Sequence, residues 1–286
     1  GLTEIVALTF PKLIATTQEL RPSPAETSLK SRFLRYVIWW TFSLMILLIL
    51  VNWFVAGKIA KDILRDQMVN LAETTTDQIP NFLNTGQSLI KQYATDLSGT
   101  LDSSQEAEKT LEKAYRSAPF FSKLFVLDAD ANQLLYLPQG ETVKEILSPI
   151  ERDGLEYALA GIPVQVYAIP SLDERTPAEI SFMGTIMNEE DTPQGILVGR
   201  VDLTANPFAQ TIVTGLQGMS DLGGNGFLLD EEGQMLYTSG SEGKLGGLPT
   251  YDPAIQESFY ENASADGTRQ FVYTKPALGR PWLAVL

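Results

Sequence analysis

The side chains this chain could use for chemistry are mostly carboxylates and hydroxyls, because it contains no histidine and no cysteine. Those absences exclude a Ser-His-Asp triad, imidazole and thiolate metal sites, thiol nucleophiles, disulfides and a phosphorylatable histidine in this stretch. Carboxylate chemistry stays open, so the acidic clusters come first. Asp128-x-Asp130-x-Asn132 begins like a calcium loop. Its sixth position is Gln133 where such a loop needs Gly, and its twelfth is Gln139 where it needs Glu, so a hairpin turn is the better reading. Glu189, Glu190 and Asp191 are consecutive, as are Asp230, Glu231 and Glu232. Neighbouring residues in an extended turn do not converge on one point, so both runs read as solvated turns. Gly223-Gly224-x-Gly226 precedes an apolar strand. A phosphate-binding glycine loop must open a helix after a strand, so this one reads as a flexible connector. Nothing here argues for an enzyme or a metal site, and no cofactor is expected.

Small-molecule pockets are mostly apolar with a few directed polar groups. Tyr136, Tyr167, Ser181, Phe182, Met183 and Asp202 have that character and fall in segments that read as strands, so they are the candidate ligand-binding residues. Arg200 belongs with them as a possible carboxylate partner, and Asp202 as a partner for a cation. In a strand, Arg200 and Asp202 share a face and Val201 takes the other. If Val201 faces the core, both charges are expected to be solvated.

These residues sit in a duplicated pattern. FVLDADANQLLY (Phe125 to Tyr136) and FLLDEEGQMLY (Phe227 to Tyr237) are alike: an apolar strand ending in Asp, an acidic turn, then a second strand ending in Tyr. The turns hold Asn132 and Gly233, residues that tolerate a left-handed backbone. A second hairpin recurs at Ile180 to Leu203 and at Thr268 to Leu286, each with Pro and Gly in its turn. Helical pieces are expected between the hairpins, at Glu151 to Ala160 and at Asp252 to Asn262. The order is hairpin, helix, hairpin, twice over, which predicts an α+β fold with two small antiparallel sheets faced by helices.

Upstream, Val37 to Ala56 reads VIWWTFSLMILLILVNWFVA, without a charge. At about 1.5 Å per residue it spans roughly 30 Å, the thickness of a hydrocarbon core. Trp39, Trp40 and Trp53 lie near its ends, where interfacial aromatics are expected. From Lys58 to Leu101, the residues Ile59, Ile63, Leu64, Met68, Leu71, Ile79, Phe82, Leu83, Leu89, Ile90, Tyr93 and Leu97 follow a helical stripe. Pro80 and Gly86 are the expected weak points of that helix. Ser103 or Ser104 can cap a second helix, running to about Ser117. The net charge is −14. Residues 1–61 hold seven Lys or Arg against three Glu, and the rest 14 against 32. An acidic body makes nucleic acid an improbable partner. A basic N-terminal part beside it fits a membrane crossing with the body outside. The RPSPAETS linker (Arg21 to Ser28) breaks the preceding segment, and both ends of the chain read as cut.

The stretches FFSKLFVLDADANQLLY, GILVGRVDLTANPFAQTIVTGLQ, GNGFLLDEEGQMLY and GTRQFVYTKPALGRPWLAVL, in this order, resemble the double Cache (dCache) sensor domain of bacterial transmembrane receptors. The resemblance covers about residues 60–286 and the preceding membrane helix. It implies a transmembrane helix and a long N-terminal helix followed by two PAS-like (Cache) modules with antiparallel sheets. The membrane-distal module would hold a small ligand, and a second membrane helix would lead to a cytoplasmic kinase, phosphatase, cyclase or methyl-accepting region outside this stretch. Amino-acid-binding members carry an Arg-x-Trp-Tyr cluster in the distal module and a later Asp. The corresponding stretch, ETVKEILSPIERDG, lacks that cluster, although Asp173 lies near the place of the later Asp.

The expected organisation is a cytoplasmic segment (1–36), a transmembrane helix (37–56), an extracytoplasmic helical stalk (57–118), a distal Cache module (119–204) and a proximal one (205–286) cut at its C-terminal end. The function expected is extracytoplasmic small-ligand sensing for a receptor in the cell membrane, as a homodimer paired through the stalk. The alternative is a membrane-anchored protein-interaction or assembly module without a small ligand.

Overall fold

The structure, a computed structural model, describes residues 29–101, 103–138, 147–169, 178–188, 190–230, 235–239, 259–263, 269–277 and 280–285. The N-terminal segment, the ETVKEI stretch, Asp173, Glu189, Glu231, Glu232 and Gly233 lie outside them. The chain divides between Ile63 and Leu64 into two compact units.

In the first unit, helix α1 (Leu29–Leu97 over its whole length) is apolar and long enough to cross a membrane. Trp39, Trp40, Trp53 and the aliphatic residues between them are all exposed, as a lipid-facing helix requires and a buried core helix does not. Thr41 returns its hydroxyl to the carbonyls of Val37 and Ile38 and so leaves no unpaired donor on that surface.

The second unit begins with the rest of α1. Its stripe buries Ile79, Phe82, Leu83, Ile90, Tyr93 and Leu97, as the periodicity predicted. The helix ends at Leu97 rather than Leu101, because Gly99 turns the chain at φ +73. Helix α2 (Ser104–Ser117) follows, with Ser103 at its N-cap position but no side-chain capping bond. Pro80 lies inside α1 without ending it.

The expected weak point at Gly86 is a correction. A Cβ there would overlap the Phe182 ring and approach Phe120 to 2.8 Å. Gly86 is absent of side chain because aromatic rings press on the helix, so it is a packing residue rather than a hinge.

The first module is a five-stranded antiparallel sheet: β1 (Lys123–Asp128), β2 (Gln133–Leu137), β3 (Val164–Ile169), β4 (Glu179–Met187) and β5 (Pro193–Asp202). Helix α3 (Pro149–Leu159) falls between β2 and β3. The strand order is β2-β1-β5-β4-β3. Helix α4 (Gln210–Asp221) then opens the second module, whose strands are β6 (Phe227–Leu229), β7 (Met235–Thr238), β8 (Phe259–Ala263), β9 (Arg269–Ala277) and β10 (Arg280–Val285). Their order, β7-β6-β10-β9-β8, repeats the first sheet strand for strand. The duplication read in the hairpins is therefore a duplication of topology.

Two expectations fail. The helix anticipated over Asp252 to Asn262 is overturned at its end, where residues 259–262 belong to β8 and pair with β9, Phe259 opposite Tyr273. Residues 252–258 lie outside the described residues. Each sheet also has a fifth strand that the hairpin, helix, hairpin order leaves out: β3, where Tyr167 already reads as strand, and β8. A short edge strand carries too few residues to show an alternation that wins over a helical reading.

Gly223-Gly224-x-Gly226 is not a flexible connector. Gly223 at φ +84 follows the last turn of α4, its N–H bonds to Ser220 O, and Gly224 N–H bonds to Met219 O, which closes the helix in a Schellman arrangement.

The acidic run at Asp128 is a turn, as read. Asp128 Oδ1 accepts from the backbone N–H of Asp130 at 2.9 Å and of Asn132 at 2.7 Å, and Asn132 Nδ2 donates to Oδ2 at 3.0 Å. The Asn132 side-chain bond is the first cause, with the two backbone bonds, of an Asp128 pKa below its ordinary value. A depressed carboxylate stabilises the fold above its unfolded pKa, and that contribution disappears as pH falls through the folded pKa. Asn132→Ala should therefore raise the Asp128 pKa toward the ordinary range and lessen the loss of stability in acid. A carboxyl-carbon NMR titration that leaves Asp128 unmoved would refute the assignment.

Candidate functional site

The register of the first sheet sorts the candidate residues by face. Tyr167 pairs with Ser181, Ser181 with Arg200, and Arg200 with Lys123, which makes one cross-strand row. The next row runs Gln165, Met183, Val198, Phe125, Tyr136. Directly opposed residues point to the same side of a sheet, so Tyr136, Tyr167, Ser181 and Met183 share one face. Tyr167, Met183, Val198 and Phe125 form a small buried cluster there with Leu147 and Ala158, and Tyr136 and Leu155 pack against it.

Phe182 does not join them. It lies between Ser181 and Met183 and so faces the other way, into the larger core against α1 with Leu124, Val166, Ile180 and Val201. There its ring meets Phe82, Phe120 and Phe121 at centroid distances of 6.3, 5.8 and 5.8 Å. Asp202 does not join them either. Its Oδ1 accepts from the N–H and hydroxyl of Thr204 at 2.8 and 2.6 Å. It lines a separate cleft of about 170 Å³ with Tyr115, Phe120, Ser122 and Asn206.

Val201 does face the core, yet Arg200 is not solvated, which corrects the conditional expectation. Both faces of this sheet are covered. Arg200 is 5 % exposed and Glu151, from the first turn of α3, is 0 % exposed. Arg200 Nε donates to Glu151 Oε1 at 3.0 Å and Nη2 to Oε2 at 2.7 Å, a bidentate pair. Glu179 Oε2 stands 3.8 Å from Arg200 Nη1, and its Oε1 is 3.1 Å from Lys123 Nζ. The Arg200 guanidinium also lies 5.3 Å from the centre of the Phe125 ring.

Glu151 has a second task. Its Oε2 accepts from the Ser148 N–H at 2.8 Å while Ser148 Oγ accepts from the Glu151 N–H, a complete capping box ahead of Pro149. One carboxylate thus both starts α3 and fastens it to β5. The Ser148-x-x-Glu151 signal is visible in the sequence and reads as a helix start. Its partner Arg200, 49 residues away, carries no local signal, and this is why Glu151 is missing from the sequence-derived site.

The rest of α3 lies close on the sheet. Gly154 gives room for the Tyr167 ring, which a Cβ would overlap. Gln165 Nε2 donates to Gly154 O at 2.9 Å, and the Tyr167 hydroxyl donates to Gln165 Oε1. Thr185 donates to the carbonyls of Ala158 and Ile162 at the far end of the helix. Against this dense bonding, Ser181 is 0 % exposed and its hydroxyl has no hydrogen-bond partner among the described residues.

No protein-family model and none of the curated proteins matches the chain. Solved structures do. The ligand-binding domain of the Pseudomonas fluorescens chemoreceptor CtaA, in complex with L-isoleucine, matches with TM-score 0.53 at 19 % identity, over 80 % of this chain and 93 % of that one. That of the Pseudomonas aeruginosa PAO1 amino acid chemoreceptor PctC, in complex with GABA, matches with TM-score 0.56 at 19 % identity, over 77 % and 97 %. That of PctB from the same organism, in complex with L-Arg, matches with TM-score 0.53 at 19 % identity, over 77 % and 85 %. With the long α1 helix, the twice-repeated strand order and these likenesses, the fold of this chain is the double Cache fold of receptor sensor domains.

Proposed function

We propose that this chain is the extracytoplasmic small-ligand sensing region of a bacterial transmembrane signal-transduction receptor. Its anchor would be the apolar stretch of α1, with the segment before it cytoplasmic, the stalk and both modules outside, and the output domain elsewhere in the protein. The observation that carries this reading is the first sheet, whose α3-covered face gathers Tyr136, Tyr167, Ser181 and Met183 around a buried polar row. Solved double Cache domains with the same fold are chemoreceptor domains bound to amino acids or GABA.

A thermal-shift screen of the full chain in lipid nanodiscs against small metabolites tests it. A ligand at about 100 times its Kd should add about 2.7 kcal/mol of stability, and Tyr167→Phe, which removes only a hydroxyl, should weaken that gain. A screen in which no metabolite stabilises the chain favours the assembly-module reading.

The stalk is proposed to pair two copies in parallel. Ile59 and Ile63 are 53 % and 52 % exposed, one helical turn apart on α1. A face of this kind is where a second helix would pack. Cysteines placed at both positions should crosslink between subunits in membranes, with no native cysteine to interfere. Their failure to crosslink while both cysteines stay reactive toward a small maleimide would rule the stalk dimer out.

A further inference from the structure

Among the described residues, the charges along the buried row of the α3-covered face neutralise one another, and this bears on what the face can bind. Glu151 and Arg200 form a buried bidentate pair, and Glu179 stands against both Arg200 and Lys123. Two cations and two anions are thus satisfied within the sheet and α3. One buried polar atom on this face without a partner among the described residues is neutral, the Ser181 hydroxyl. It sits in the row between Tyr167 and Arg200.

Resting on the reading of this face as the ligand site, we propose that its ligand is an uncharged molecule presenting an amide, carbonyl or hydroxyl group to Ser181. A carboxylate would have to displace Glu151 from Arg200 and leave the Glu151 charge buried without a counter-ion, the most costly outcome for a desolvated pair. A zwitterion would have to part the same bidentate pair, and Glu151 Oε2 also holds the Ser148 N–H that starts α3. A neutral group asks for neither. It satisfies a hydroxyl that is otherwise buried at a cost. Entry asks the part of α3 beyond Gly154 to shift while the Glu151–Arg200 tie at its start holds. The cluster beneath it is small, whereas the opposite face belongs to the large core shared with α1 and α4. Ligand-admitting elements come from such weakly packed parts of a fold.

The test uses the full chain in nanodiscs with ¹³C-methyl-labelled methionine. Met183 lies on the same face two residues from Ser181, so its methyl signal reports on this site. Amide and carboxylate pairs of matched shape are titrated: acetamide and acetate, isobutyramide and isobutyrate, benzamide and benzoate, with L-isoleucine and L-serine as zwitterions. The expected result is a saturable shift of the Met183 signal with amides, at least tenfold weaker with the matched carboxylates and with both amino acids. Ser181→Ala should stay folded, since it removes an unpaired hydroxyl, and should raise the amide Kd about tenfold. Saturable shifts with carboxylates or amino acids at concentrations equal to the amides overturn the inference and leave the site reading standing. A Met183 signal that no probe moves overturns both. An amide response that Ser181→Ala leaves unchanged also overturns it.

Discussion

Glu151→Ala should destabilise the chain by about 3–5 kcal/mol, because it leaves the Arg200 guanidinium buried without its carboxylate. The same change removes the Glu side of the capping box, so α3 loses its start as well as its tie to β5. Geometry decides the size of this effect. Arg200 and Glu151 side chains are 6 % and 0 % exposed and pair through two hydrogen bonds. The Arg116–Glu112 pair on α2, with 76 % and 39 % exposure, should contribute little, since exposed ion pairs are screened by water and salt. The paired substitution Glu151→Leu with Arg200→Met should recover most of the lost stability, since apolar groups of similar volume often replace a buried ion pair without penalty. Denaturant unfolding of the three variants measures this, and a Glu151→Ala cost below about 1 kcal/mol would show that the pair is hydrated in solution.

Phe182→Ala should cost about 3–5 kcal/mol, the usual range for emptying a buried aromatic position. Its more informative consequence concerns Gly86. Two opposing effects act on Gly86→Ala. Alanine favours a helix over glycine by about 1 kcal/mol, while overpacking costs about 1–3 kcal/mol. In the native chain the second should win. The ring that a Cβ would strike is fenced by Phe82, Phe120 and Phe121 and cannot swing aside. In the Phe182→Ala background the obstruction is gone, and Gly86→Ala should turn stabilising by up to about 1 kcal/mol. A change of sign between the two backgrounds, read by a double-mutant cycle, identifies the contact. Equal effects in both would mean that Gly86 matters only through backbone freedom. The contact ties β4 to α1 directly behind Ser181 and Met183. Movement of the proposed ligand face therefore has a short route to α1.

The sequence by itself determined the pieces that local physics dictates. An uncharged apolar run of membrane length, a stripe at helical spacing, and hairpins marked by Asp, Asn, Gly and Pro turns are each specified by residues near one another. The four hairpins stand where they were read, and the repeated order exposed the duplication before any pairing was known. The tertiary structure alone decided which faces are covered. Period-2 alternation correctly put Val201 opposite Arg200, but no sequence pattern says that both sides of a sheet are buried. That came from α3 on one side and α1 on the other, and it turned two charges read as solvated into different things: a buried ion pair at Arg200 and a turn cap at Asp202. Phe182 left the candidate site by the same alternation, since it cannot share a face with both of its neighbours. Gly86 shows the limit most clearly. A glycine in a helix reads as a weak point from propensity, while its role here is fixed by the Phe182 ring 96 positions along the chain, a contact only the folded chain creates.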